Sequence, residues 1–258
     1  MFRPRIIPVI LINNDGHAVK SINFRKKIDL GDPVNMVSIF NSFRVDELVL
    51  LDIDATKRGR LISLELLANI ASEAKMPFSV GGGVTTLDDI RNILSMGAEK
   101  VVISSAGLTR PEFVREAAER FGSSSIMVCI DVQKNLFGGQ NVRTRSGSMK
   151  LNLQPLEAAL QMEKMGAGEI IIQSIDRDGT MNGYDLETIK AVACAASVPV
   201  IALGGAGRLE DMKEAYAVTH ASALASGSLF CFQDRQRGVL VNYPDKEALC
   251  SFREVRVQ

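Results

Sequence analysis

Val80-Gly81-Gly82-Gly83 returns as Ala202-Leu203-Gly204-Gly205, an offset of 122 residues. The same offset aligns Ile53-Asp54 with Ile175-Asp176, Leu87 with Leu209, Asp89 with Asp211 and Ser104 with Ser226. A chain of 258 residues that matches itself at nearly half its length reads as a duplication. Around the repeated glycines, short apolar runs recur at 5–12, 47–53, 77–80, 100–103, 125–130, 169–174, 199–203 and 221–226. Helical periodicity fills the intervals at 33–43, 61–73, 87–96, 111–121, 155–165, 186–196 and 209–218. Strands alternating with helices imply parallel βα units, either in an open doubly wound sheet or in a closed barrel. An open sheet has no reason to repeat at half its length, whereas four βα units copied once close into eight. The sequence therefore predicts an α/β fold, a (β/α)8 TIM barrel built from two duplicated half-barrels. It fills 1–258 as one domain, with 233–258 outside the repeat as an extension packed on the barrel.

Composition agrees with that architecture. Apolar residues make up 46% and aromatics only 5%, with no Trp, so the core is Val, Ile, Leu, Met and Ala, as buried parallel strands require. Thirty basic residues balance thirty acidic ones, so no net field attracts nucleic acid or an anionic membrane. Any anion site must be built locally. Cys129, Cys194, Cys231 and Cys250 are widely spaced, and His17 and His220 are the only histidines. That leaves little material for a metal site, a disulfide framework or a histidine triad, and predicts no metal, no cofactor and a reducing, cytoplasmic setting. The first apolar run is broken by Pro8 and closed by Asn13-Asn14-Asp15-Gly16, too short for a signal peptide or a membrane span.

In such barrels the reaction face lies at the C-terminal ends of the strands. Leu11, Asp131, Gly82-Gly83, Ser104-Ser105, Asp178-Gly179, Gly205 and Gly227-Ser228 fall at or just after those ends. Glycines let the backbone approach an anion, and helix-start amides and hydroxyls donate to it. Gly82, Gly83, Ser104 and Ser105 predict one phosphate site; Asp178, Gly179, Gly205, Gly227 and Ser228 predict another across the mouth. Together they suggest an elongated substrate, phosphorylated at each end, reacting near Leu11 and Asp131. For each glycine the alternative is a tight βα turn. The segment 133–150, with Gly138-Gly139 and Gly147, predicts a hairpin or lid.

Several motifs then converge. They are Arg5-Ile6-Ile7-Pro8, Gly31-Asp32-Pro33, Asp46-Glu47-Leu48-Val49, Gly81-Gly82-Gly83 and Arg120-Phe121-Gly122-Ser123, followed by Gly166-Ala167-Gly168-Glu169-Ile170, Ser174-Ile175-Asp176-Arg177-Asp178-Gly179-Thr180, Gly183-Tyr184-Asp185 and Gly204-Gly205-Ala206-Gly207. On these residues the chain resembles the cyclase subunit of imidazole glycerol phosphate synthase up to about residue 232. The resemblance implies a glutaminase partner that hands over ammonia, which the barrel adds to a bisphosphorylated ribulosyl carboxamide. The products are imidazole glycerol phosphate and an aminoimidazole carboxamide ribotide. It also implies an acid at the end of strand one and another at the end of strand five, working as general acid and base. Asp131 fills the second place, but Leu11 stands in the first and cannot carry a proton. Asp15, four residues on, reads more simply as a loop acid.

Ser104 and Gln173 also depart from the cyclase pattern. With Val9-Ile10-Leu11-Ile12 and the stretch 237–244, the chain looks like a divergent branch linked to bacterial surface-polysaccharide synthesis. There the barrel and a dedicated glutaminase supply ammonia to an amidotransferase acting on a nucleotide-linked sugar.

Arg5, Glu47, Lys100 and Glu169 begin strands one, two, four and six. Alone they read as a structural salt-bridge ring; the resemblance matches them to the gate that admits ammonia through the barrel floor. Glu99 matches an acid at the glutaminase contact on that N-terminal face. Lys20, on a loop after strand one, matches a lysine that closes over substrate, or else is simply exposed to solvent. Asp54 and Asp176 serve either the mouth chemistry or hydrogen bonds to neighbouring loops. Three readings follow: an ammonia-delivering subunit, a working histidine-pathway cyclase, and a single-chain sugar-phosphate isomerase. The last fits least, because it needs two acid/base groups and no gate.

Overall fold

The computed structural model describes residues 3–135, 138–233 and 238–255. Residues 136 and 137 of the predicted lid, and 234–237 and 256–258 of the predicted extension, lie outside them, as does the first residue of the 237–244 stretch. Eight parallel strands form the barrel: β1 Arg5–Ile12, β2 Leu48–Asp52, β3 Phe78–Gly81, β4 Lys100–Ile103, β5 Ile126–Lys134, β6 Glu169–Ser174, β7 Val200–Leu203 and β8 Ala223–Ser226. Each pairs with the next in sequence, and β8 returns to β1 with Ile7 opposite Ala225, which closes the ring. Strand periodicity of two then separates two cores. Ile7, Val9, Leu11, Val49, Val102, Met127, Cys129, Ile171, Ile201, Leu203, Ala223 and Ala225 pack together inside the barrel. Their neighbours in sequence, such as Ile6, Ile10, Leu50, Val101, Val128 and Ile170, pack outward under the helices. Full burial of one such aliphatic side chain stabilises by about 1.5–3 kcal/mol, so both faces of every strand resist a register slip.

The long outer helices are α1 Pro33–Phe43, α2 Leu64–Glu73, α3 Leu87–Ser95, α4 Pro111–Phe121, α5 Pro155–Lys164, α6 Leu186–Ala195 and α7 Leu209–Thr219. Local chemistry starts them. The Asp32 side chain accepts from Val34 N ahead of Pro33, and Ser63 caps α2 at Leu66 N. The repeated aspartates Asp89 and Asp211 now have a physical reason. The Asp89 carboxylate accepts from the backbone of Thr85 and Thr86, and that of Asp211 from Gly207 and Arg208. Each thus secures the start of its helix.

Two hairpins rise above the mouth. The predicted one continues β5 antiparallel to Gln140–Thr144, which pairs in turn with Met149–Lys150. The other, Ala18–Ile22 with Lys26–Gly31, continues β1, where the sequence reading left a loop. Lys20 therefore sits in a strand, and it is buried rather than solvent-exposed. The hairpins are duplicates: Asn23 and Phe24 have φ of 50° and 59°, while Arg145 and Ser146, at the same offset of 122, have 51° and 53°. Past the repeat, the tail forms a short helix, Lys246–Cys250. Its Tyr243 hydroxyl donates to Ile6 O at 2.9 Å, and Phe252 is buried with its ring 6.3 Å from Tyr216.

Candidate active site and the charged floor

A cleft of about 900 Å³ opens at the C-terminal ends of the strands. Leu11 and Asp131 both line it. Leu11 lies opposite Leu51 of β2, and Asp131 opposite Gln173 of β6, so each projects into the upper barrel from an inward-facing register position. Both are nearly buried, at 6% and 9% exposure. Desolvation pushes the Asp131 carboxyl up to about 7, and the nearby charge of Asp178 adds to the rise. The Cys129 thiol, one turn of the pleat below and 3.8 Å from Asp131 Oδ1, opposes the rise by donating to it. Asp131 thus exchanges its proton near neutrality. Leu11 supplies no second acid.

The two glycine clusters differ in access. Gly82, Gly83, Ser104 and Ser105 line the cleft. Ser104 Oγ is buried with no hydrogen-bond partner, whereas Ser105 Oγ accepts from Arg145 N at 2.9 Å. In the second cluster only Asp178 reaches the cleft wall among the predicted residues. Lys20 and Ser21 stand in front of the others. A Cβ on Gly227 would overlap the Lys20 ammonium, and one on Gly179 would overlap the Ser21 carbonyl. Lys20 Nζ is 3.8 Å from Asp178 Oδ1, whose other oxygen accepts a short hydrogen bond from Ser21 Oγ. Ser228 Oγ is buried behind this cover without a partner.

Loop packing explains why glycine occupies most of these places. A Cβ on Gly83 would overlap the Arg60 carbonyl, one on Gly205 the Gly183 carbonyl, and one on Gly82 would lie 2.6 Å from Asp52 Cβ. All three have positive φ, of 70°, 113° and 135°. Asp54 and Asp176 both hold loops, and Asp54 also lines the cleft. Asp54 accepts from Asn14 N and from Lys27, both of whose bonds measure 2.6 Å, and Asp176 accepts from Lys134 N at 2.7 Å.

At the opposite face, four side chains form a ring of alternating charge. Arg5 lies 2.5 Å from Glu47 and 3.0 Å from Glu169, and Lys100 lies 3.4 and 3.2 Å from the same two carboxylates. Ser79 Oγ also donates to Glu47 at 3.0 Å. All four project inward from strand starts, so the ring crosses the bore just below Ile7, Val49, Met127 and Ile171. Glu99 precedes this ring on the same face, with its backbone N–H bonded to Phe78 O.

With both ends of the barrel described, its relatives can be set beside it. The model of the histidine biosynthesis protein family matches residues 5–235. The chain belongs to that family. It is 42% identical over 249 residues to the "Putative imidazole glycerol phosphate synthase subunit hisF2" of Pseudomonas aeruginosa, covering 96% of this chain and 99% of the relative. It is 42% identical over 233 residues to the imidazole glycerol phosphate synthase subunit HisF of Hydrogenobaculum, covering 90% and 92%. A "Putative imidazole glycerol phosphate synthase subunit HisF" of Leptospira borgpetersenii is 41% identical over 253 residues, covering 96% and 99%.

Within this barrel, the cleft also holds residues that the sequence reading passed over. Lys27, Lys57, Arg110, Thr144 and Arg145 line it. Thr144 is fully buried and its Oγ1 has no partner. The offset that aligns Asn23-Phe24 with Arg145-Ser146 was the available signal, since it places 145 at a hairpin tip. Among the described residues no helix is long and apolar enough to cross a membrane, and no cluster of three or more His, Cys, Asp or Glu is arranged to hold a metal ion.

Proposed function

We propose that this chain is the barrel subunit of a glutamine-dependent complex, that it takes ammonia through its floor from a docked glutaminase, and that it no longer closes an imidazole ring by itself. The observation that carries the reading is the pairing of a complete floor ring with Leu11 where the family's acid partner of Asp131 would stand. Ammonia released below the ring meets a bore lined by the apolar side chains Ile7, Val49, Met127 and Ile171. Such a path favours the neutral molecule and limits its loss to water. Ring closure needs one group to give a proton while another takes one. Asp131, titrating near 7, can do either but not both at once. The names of the relatives support a subunit of a synthase.

The finer part of the proposal is that the ammonia serves surface-polysaccharide synthesis, passing to an amidotransferase that acts on a nucleotide-linked sugar. Gly82, Gly83, Ser104 and Ser105 bind a phosphorylated ligand at the open side of the mouth. Asp178, Gly179, Gly205, Gly227 and Ser228 do so on the far side once Lys20 withdraws.

The purified protein, given the ribulosyl carboxamide and ammonium salt, should turn over no faster than about 10⁻² of an ordinary enzymatic rate, taken as roughly 10 per second. Leu11→Asp should raise that rate by about 10²-fold, the usual contribution of one positioned acid/base group. Full turnover by the unaltered chain would establish it as a working cyclase instead.

A further inference from the structure

The rim of the cleft is not electrically symmetric. Lys27, Lys57, Arg110 and Arg145 line its first-half side, whereas the residues 122 positions away are Met149, Gly179, Phe232 and Asn23. Duplication left no cation at the matching places. Lys27 is committed to Asp54. The other three are exposed, on three separate segments, and make no ion pair among the described residues. Arg110 is steadied by a 2.7 Å bond to Thr85 O and by the Phe113 ring 5.1 Å away.

Arg145 is the most telling of them. Its own N–H donates to Ser105 Oγ, which fixes the hairpin tip above Ser104 and Ser105. Its φ of 51°, followed by 53° at Ser146, belongs to a turn whose backbone favours Asn, Asp or Gly. The duplicate turn carries Asn23. Local structure asks for asparagine and the chain supplies arginine, so charge over the cleft accounts for the residue where turn chemistry does not. Beneath it, Ser104 Oγ lacks a partner, and Ser105, already accepting from Arg145, keeps its proton free to donate.

One phosphoryl group would fill the hydroxyls and glycine backbone of the inner cradle, and three further cations stand outside it. A single phosphate monoester, with a charge of about −1.5 to −2 at neutral pH, satisfies the inner groups only. We propose that the first-half side of the cleft binds a diphosphate group, its inner phosphoryl at Ser104-Ser105 and its outer one among Lys57, Arg110 and Arg145. This rests on the inner cradle being a phosphate site.

Calorimetric titration in low-salt, magnesium-free buffer with inorganic phosphate and inorganic pyrophosphate separates the two ideas. Pyrophosphate should bind at least about tenfold more tightly. Arg145→Asn, which restores the residue of the duplicate turn, should leave the melting temperature unchanged or higher. Combined with Lys57→Ala and Arg110→Ala, it should narrow the preference to less than about threefold. Equal affinities in the unaltered protein overturn the diphosphate site while keeping the cradle. Binding of neither anion overturns both, and a preference that survives all three substitutions overturns the placement.

Discussion

Asp131 shows how one residue's surroundings set its chemistry. Removal from water holds its carboxyl near 7, well above the unfolded value of about 3.9, so the folded chain binds the proton more tightly. The stability tied to that proton is fully present below about pH 4 and is lost as the pH rises through 7. Asp131→Asn, neutral at every pH, should therefore change stability little at pH 4 and raise it by up to about 4 kcal/mol at pH 8. Denaturant unfolding at the two pH values checks this, and an equal effect at both would place the carboxylate in a solvated setting. The position of Asp131, and of Leu11 facing the same bore, was legible in the sequence because a strand's period of two fixes which residues point inward. Arg145 was not. Its meaning depends on a turn that forms only when β5 pairs with Gln140–Thr144.

At the scale of elements, the floor ring depends on where strands begin. Arg5, Lys100 and Glu169 open their strands and Glu47 immediately precedes β2, and the four meet because the barrel's stagger brings these inward positions to one level. Lys100→Ala leaves Arg5 bonded to both carboxylates, so it should cost only about 1–2 kcal/mol and leave the circular dichroism spectrum unchanged. In the proposed complex with a glutaminase, the ammonia delivered per glutamine hydrolysed should fall. Unchanged coupling would reduce the ring to a structural network. These strands could be read from apolar runs, and their helices from the helical periodicity between them. The Ala18–Ile22 and Lys26–Gly31 hairpin escaped notice because its second strand is mostly solvent-facing and begins Lys26-Lys27. Only its pairing with an extended β1 defines it. The same blind spot put Lys20 on a loop, when pairing in fact buries it against Gly227 and hides the second glycine cluster.

Over the whole molecule, the repeat at 122 residues made the barrel legible, since closure follows from copying a four-strand unit. The tail has no such counterpart and is held by specific contacts. Tyr243, tilted against Phe230 at 5.4 Å and bonded to Ile6 O, ties it to the first strand. Tyr243→Phe keeps the ring but removes the donor. A loss of about 1 kcal/mol, read as a melting temperature lower by roughly 2–4 °C, is expected; no change would mean that ring packing alone seats the tail. The hairpins join the halves in another way. Asn23 donates to the carbonyls of Ile175 and Asp176, and Ser146 to that of Ile53. Each half grips the loop in its counterpart that corresponds to the one gripped in itself. Reciprocal contacts of this kind are what a two-fold dimer makes, with one patch meeting another and the reverse meeting repeated. The seam between the halves therefore has the reciprocal pattern of a two-fold interface, carried within a single chain.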